Sequence, residues 1–187
     1  GVRDEREGLY AFTHAHIFID ADTEIPSGTL VIRKGRVEAA GANIPVPTGA
    51  VVVDLQGQYV YPSFIEIYAD YGLPRSRPVS SVPGLPQMIT NKPGAYGWNQ
   101  AVMAEYNAYE FFKADDAASQ ALMKDGFGMA LTHRKDGIAR GTGALVLLGA
   151  GRENELVVHD RASAHYSFSK GSSTQDYPSS LMGIIAL

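Results

Sequence analysis

The sequence predicts an α/β chain with a β-rich N-terminal part, and three observations carry that expectation. Between Leu9 and Tyr61, four or five short apolar segments alternate with Gly, Pro and polar turns, enough for a small sheet or half-sandwich. Pro62 then opens a solid apolar run, Phe64-Ile65-Glu66-Ile67, that finishes on Tyr68, Ala69 and Asp70 and reads as a buried strand entered from another packing layer. Farther on, a capped helix, a glycine stop at Gly126 and an apolar strand give the rhythm of folds with a parallel sheet.

In chain order, Arg3 to Gly8 is a charged lead-in. Ala11 to Ile19 and Gly28 to Ile32 have strand composition, Lys34-Gly35 is a tight-turn signal, and Arg36 to Gly41 alternates apolar and polar as a half-buried strand does. Asn43 to Gly49, with two prolines, is a loop; Ala50 to Leu55 is a strand, Gly57 a turn, and Tyr59-Val60-Tyr61 leads into Phe64. Residues 73 to 100 contain Pro74, Pro78, Pro83, Pro86 and Pro93 with Gly84, Gly94 and Gly97, too many breakers for a regular element. The aromatic end of this loop, Tyr96 to Asn99, suggests a docking cluster. Val102, Tyr106, Tyr109 and Phe112 recur at helical spacing and predict a helix over Ala101 to Lys113. Asp115 or Asp116 caps a second helix, Ala117 to Lys124, that Gly126 stops. Strands follow at Phe127 to Thr132, Gly143 to Leu148 and Leu156 to His159, with an ambiguous element at Ala162 to Ser169. Ser179 or Ser180 caps a last helix through Leu187 whose apolar face has nothing after it to cover it, so the chain is expected to be a fragment of a longer polypeptide or to be completed by another chain.

Composition narrows the function classes. With 187 residues, 45% hydrophobic and 19% charged, and a net charge of −4, the chain has a globular composition and lacks the basic surplus of a nucleic-acid binder. The absence of cysteine excludes disulfides and thiolate metal sites. No apolar run approaches the roughly 20 residues that span a bilayer. The chain opens on Gly1 without Met, which leaves the compartment open between cytoplasmic and exported after removal of a leader. A homo-oligomer is compatible with all of this.

Three segments together carry a family resemblance: Phe12-Thr13-His14-Ala15-His16-Ile17-Phe18, then Thr29 to Gly41, then Val53-Asp54-Leu55-Gln56-Gly57-Gln58-Tyr59-Val60-Tyr61-Pro62-Ser63-Phe64-Ile65-Glu66. This order resembles the opening of the amidohydrolase superfamily, in its imidazolonepropionase-like branch, over residues 9 to 72, and more loosely over Gly126 to Leu148 and Tyr177 to Leu187. The resemblance implies residues 1–61 as a β-sandwich portion and 62–187 as the incomplete start of a (β/α)8 barrel, with 73–100 as a long Pro/Gly-rich loop. It implies hydrolysis of a C–N bond in a non-peptide amide or cyclic amide of a small-molecule substrate, by water activated on a divalent metal, zinc first. The chain departs from the family where the first barrel strand would carry a His-x-His metal pair: Tyr68-Ala69-Asp70 stands there. The alternative is a noncatalytic amidohydrolase-fold scaffold or binding module, without a metal.

On that alignment Asp70 and His133 are the candidate metal ligands, and Asp70, His133 and Arg140 the candidate catalytic residues. Arg134 and His165 are candidates for substrate binding, because the catalytic face of a β/α barrel is built from the loops after its strands. A polar turn between strands would equally account for His133 to Gly143. His14-Ala15-His16 has the spacing of a metal pair, but two ligands without a third do not make a site, and the expectation is two histidines on the solvent side of an edge strand. His159-Asp160 and Lys170 read as loop polarity.

Overall fold

The computed structural model describes residues 8–75, 84–90, 92 and 98–187; the lead-in from Arg3 and the loop positions Pro78, Pro83, Pro93, Gly94, Tyr96 and Gly97 lie outside them. The chain divides into two compact units, Gly1–Pro62 and Ser63–Leu187. Among the described residues it is sheet-rich, with short helices.

The first unit is one five-stranded sheet in the order β3-β2-β1-β4, with β5 beside β1. Its strands are β1 (Leu9–Phe18), β2 (Glu24–Arg33), β3 (Arg36–Gly41), β4 (Val51–Asp54) and β5 (Tyr59–Val60). The β2–β3 hairpin closes through Lys34 and Gly35, both at positive φ, the combination that matches the twist of a two-residue hairpin. Leu9, Ala11 and Val31 form the core, with Ala39, Ile44 and Ala50 packed on it. β1 is antiparallel to β2 on one flank and parallel to β4 and β5 on the other, so it is a central strand, which corrects the expectation of an edge strand for His14 and His16. His14 sits at φ 51 where the β1–β2 register shifts, and its Nδ1 lies 3.0 Å from Asp54 Oδ1. His16 instead meets Glu24 and stacks on Phe18 and Tyr59. Each imidazole has its own carboxylate.

The second unit is a four-stranded sheet, β6-β7-β8-β9, formed by Phe64–Ala69, Phe127–Thr132, Ala139–Leu147 and Val157–Tyr166. β6 and β7 are parallel, which requires a crossover, and the crossover holds α1 (Ala108–Phe111) and α2 (Asp116–Lys124). The Asp115 carboxylate accepts from the Ala118 N–H to cap α2, and Gly126 leaves it at φ 90. α3 (Glu153–Leu156) precedes β9, and α4 (Leu181–Ala186) is capped by Ser180, whose hydroxyl accepts from the Gly183 N–H. Tyr71, Leu73, Ala108, Phe112, Ala130, Val146 and Leu156 are among the residues that form the core.

Four expectations change here. The succession of β/α units after Pro62 is seen once, as β6–α1–α2–β7; β7, β8 and β9 are then antiparallel, and β8 begins at Ala139 ahead of Gly143. The ambiguous stretch from Ala162 is the second half of β9. The run from Phe64 to Ile67 is a strand but an exposed one, Phe64 being 66% and Ile67 70% accessible, and β6 lies at the edge of its sheet among the described residues. The helix expected over 101–113 shrinks to the single turn α1. Its first half lies along β8 instead: Met103 N–H donates to Ala139 O and Thr142 N–H to Tyr106 O, so backbone groups that a helix would pair internally are engaged with a strand.

Candidate functional site

The site grows from the four strands of the second unit. On β6, Glu66 and Tyr68 alternate toward one side and Asp70 follows the strand, a consequence of the two-residue period of β structure. His133 follows β7 directly, its N–H donating to Ala69 O at 2.9 Å and carrying the parallel pairing one residue past the strand. Arg140 enters from the start of β8, and Ser163 and His165 from β9.

The rings converge. His133 and His165 stack face to face, centroids 3.6 Å apart and 9° from parallel, and the Tyr68 ring meets His133 edge-on at 4.9 Å. Arg140 donates from Nη1 to the Tyr68 hydroxyl at 3.2 Å and from Nε to Gly137 O at 3.1 Å. Ser163 Oγ and His165 Nε2 are hydrogen-bonded at 2.6 Å. Gly143 makes this approach possible: a Cβ there would lie 2.7 Å from Ser163 Oγ, 2.8 Å from His165 Nε2 and 3.2 Å from His133 Cβ.

Protonation follows from these contacts. His133 Nδ1 is 2.9 Å from the Arg134 carbonyl oxygen, which can only accept, so Nδ1 carries the proton and the neutral ring presents Nε2 as a lone pair. That Nε2 is buried and has no partner. Burial pushes the His133 pKa down; the bond to the Arg134 carbonyl and the charge of Asp70 offset this in part, and the positive charges of Arg140 and Lys135 add to it. His165 is lowered to about 4, first by burial and then by His133 and Arg140. Both imidazoles are therefore neutral at physiological pH.

Cations meet the two β6 residues. Lys135 Nζ lies 3.2 Å from Asp70 Oδ1 and 4.9 Å from the Tyr68 ring centroid. Arg140, 8% accessible, makes no ion pair with any carboxylate of the described residues. A cleft of about 900 Å³ opens beside this end of β6, lined by Glu66, Tyr68, Asp70 and Lys135 and, across from them, Lys113 and Asp115.

Of the residues singled out from sequence, His133, His165 and Arg140 come together with Tyr68, and Asp70 lies beside them through Lys135. Arg134 turns its guanidinium away, to Asp136 Oδ2 at 2.9 Å and over the Tyr106 ring. Burial raises the Asp136 carboxyl, yet the Ser172 hydroxyl and N–H and the Arg134 guanidinium together hold it below its ordinary range. His159 is exposed beside Asp160, and Lys170 Nζ donates to the Gln175 carbonyl. Trp98 packs under Lys92, whose Nζ is 4.2 Å from the ring centroid. Sequence reasoning missed Lys135, Ser163 and Gly143; the alternation of Ser163 with His165 on one strand was the available signal. Among the described residues no group of three or more His, Asp or Glu side chains is placed to hold a metal ion. No helix among them is long and apolar enough to cross a membrane.

No family model matches this chain, and no curated protein matches it. Among solved structures it is similar to an amidohydrolase from Thermotoga maritima MSB8, with a TM-score of 0.68 and 20% identity, over 95% of this chain and 45% of that one. The likeness is one of fold, and this chain spans less than half the length of that structure.

Proposed function

We propose that this chain is an amidohydrolase-like module in which two side-chain cations have taken the place of the metal at the first barrel strand, and that it serves as a scaffold or ligand-binding module. One observation carries the reading: the donors at the end of β6 are already spent, the Asp70 carboxylate on Lys135 and the Tyr68 hydroxyl on Arg140. A metal ion there would have to displace an ammonium from Asp70 and sit close to a buried guanidinium, and a phenol ligates a divalent metal only when ionised. The donor set does not fit the zinc ion that the amidohydrolase fold implies. Metal content of the protein from its natural source tests this. Substoichiometric zinc, iron and manganese, with no change in melting temperature on adding zinc, is the expected result; one tightly held metal ion per chain would overturn the proposal.

A second reading, hydrolysis of a C–N bond in an amide or cyclic amide, is favoured by His133 Nε2, a buried lone pair without a donor on a ring that is neutral at physiological pH. Such a lone pair is what a general base requires. On this reading His133, Asp70 and Arg140 form the reacting end of the site and His165 receives the substrate, while Arg134 is held away from it by Asp136. Hydrolysis of simple amides and cyclic amides that disappears in His133→Gln would favour it over the scaffold.

A further inference from the structure

We propose that the pocket beside Trp98 is a binding site for a neutral, planar nitrogen heterocycle that carries an amino group. It shares no residue with the histidine cluster and rests on neither reading above. The pocket lies in the second unit and measures about 310 Å³, with Trp98, Val102 and Ala104 among its walls and Gln87, Lys92 and Glu105 among its polar groups. That volume is at the small end of ligand sites and has room for one ring. Its walls are held from outside the pocket. Asn99, buried next to Trp98, donates from Nδ2 to Tyr177 O at 2.9 Å and accepts from the Ala101 N–H at 2.8 Å, and Met103 N–H donates to Ala139 O on β8 at 2.7 Å. The indole stays 43% accessible on this fixed frame, an open surface on which a flat ring can stack.

The polar groups decide what kind of ring. Lys92 is spent: its ammonium pairs with Glu105 Oε1 at 3.0 Å, donates to the Val102 carbonyl and lies 4.2 Å from the centroid of the indole. Among the described lining residues no other side chain is cationic, so the pocket offers nothing to an anion, and the indole face that a ligand cation would take is already covered. The Asn99 amide is spent as well, on both of its ends. What remains is the Glu105 carboxylate, half open to solvent, and the exposed Gln87 side chain. Partial burial raises the Glu105 carboxyl, but its own backbone N–H, the Lys92 ammonium and Arg134 together hold it below its ordinary range, so it is an ionised acceptor at neutral pH. A sugar, with a hydroxyl on most of its ring carbons, would leave most of them unmet here. A flat ring whose amino group donates to Glu105, and whose ring nitrogen accepts from the Gln87 amide, uses both free groups and the indole.

Trp98 is the one tryptophan of the chain, so its indole N–H gives a single NMR resonance that reports from inside the pocket. The probe is 2-aminopyrimidine, neutral at pH 7. It is expected to shift that resonance saturably, with a dissociation constant of about 1 mM, as suits a fragment of one ring. Pyrimidine, which lacks the amino donor, is expected to bind at least tenfold more weakly, and glucose, acetate and tetramethylammonium to give no saturable shift. Glu105→Gln is expected to weaken 2-aminopyrimidine at least tenfold, and Trp98→Leu to abolish its binding in calorimetry. An indole resonance unmoved by 2-aminopyrimidine up to roughly 50 mM overturns the proposal, as does equal binding of pyrimidine, or saturable binding of glucose, acetate or tetramethylammonium in its place. The decisive titrations use the unaltered chain, so a variant that fails to fold does not remove the test.

Discussion

Gly143→Ala probes the packing on which the histidine cluster depends. The backbone of Gly143 is not at positive φ, so the cost of a methyl group there is steric. The new Cβ would meet Ser163 Oγ at 2.7 Å, His165 Nε2 at 2.8 Å and His133 Cβ at 3.2 Å. Ser163 can rotate its hydroxyl aside at the loss of its bond to His165. The His165 ring has less freedom, because it is stacked on His133 at 3.6 Å, and the His133 backbone is tied to Ala69 O just past β7. Overpacking of this kind costs about 1–3 kcal/mol, and with one of the three neighbours able to move, about 1.5 kcal/mol is expected. The same displacement moves His165 toward solvent, so its midpoint should rise from about 4 toward the ordinary 6.5. Urea denaturation and histidine NMR on one variant read both effects. Gly141→Ala gives the comparison: φ is 78 and the Cβ would run into the Tyr106 carbonyl, which already accepts from Thr142 N–H, so a loss above about 3 kcal/mol is expected. A Gly143→Ala variant that loses less than about 0.5 kcal/mol and keeps His165 near 4 would refute the account of the cluster.

Stability should also fall with acid through His165. Its folded pKa is depressed, so between about 4 and 6.5 the unfolded chain holds a proton that the folded chain refuses. The contribution is complete above pH 6.5 and is lost as pH falls toward 4. Discounted for the partial exposure of the ring, it amounts to about 1–2 kcal/mol, and it should be absent from denaturation curves of His165→Gln. Asp115→Ala removes the cap of α2 and should cost the second unit about 1 kcal/mol, while Asp115→Asn retains most of it; urea midpoints compare the two. Lys135→Ala breaks a half-exposed ion pair and should change stability by less than about 1 kcal/mol, while giving Asp70 the freedom to take an added cation; a loss above about 2 kcal/mol would mean that the pair is structural.

What could be read from the sequence was local. Lys34-Gly35 fixed a hairpin because two positive-φ residues suit it, and Asp115, Gly126 and Ser180 marked helix ends because capping chemistry involves neighbours a few residues apart. The stretch from Ala101 to Lys113 failed for the opposite reason. Its helical spacing is real, but its backbone partners, Ala139 and Thr142, come from a strand far along the chain and outweigh a weak local preference. The exposure of Phe64 and Ile67 likewise depends on what covers the faces of β6, which an apolar run cannot tell.

The site divides in the same way. His133, Arg140 and His165 could be picked out because strand ends are where side chains of one sheet converge. Their chemistry could not, since it depends on pairs far apart in the chain: Asp70 and Lys135 are separated by 65 positions, Tyr68 and Arg140 by 72. Taken alone, Tyr68 and Asp70 look like the remains of a metal site with poorer donors. Taken with their partners, each is coupled to a cation from the next strands, Lys135 after β7 and Arg140 on β8. Both donors at the end of β6 are thus engaged from within the chain, Asp70 by Lys135 and Tyr68 by Arg140.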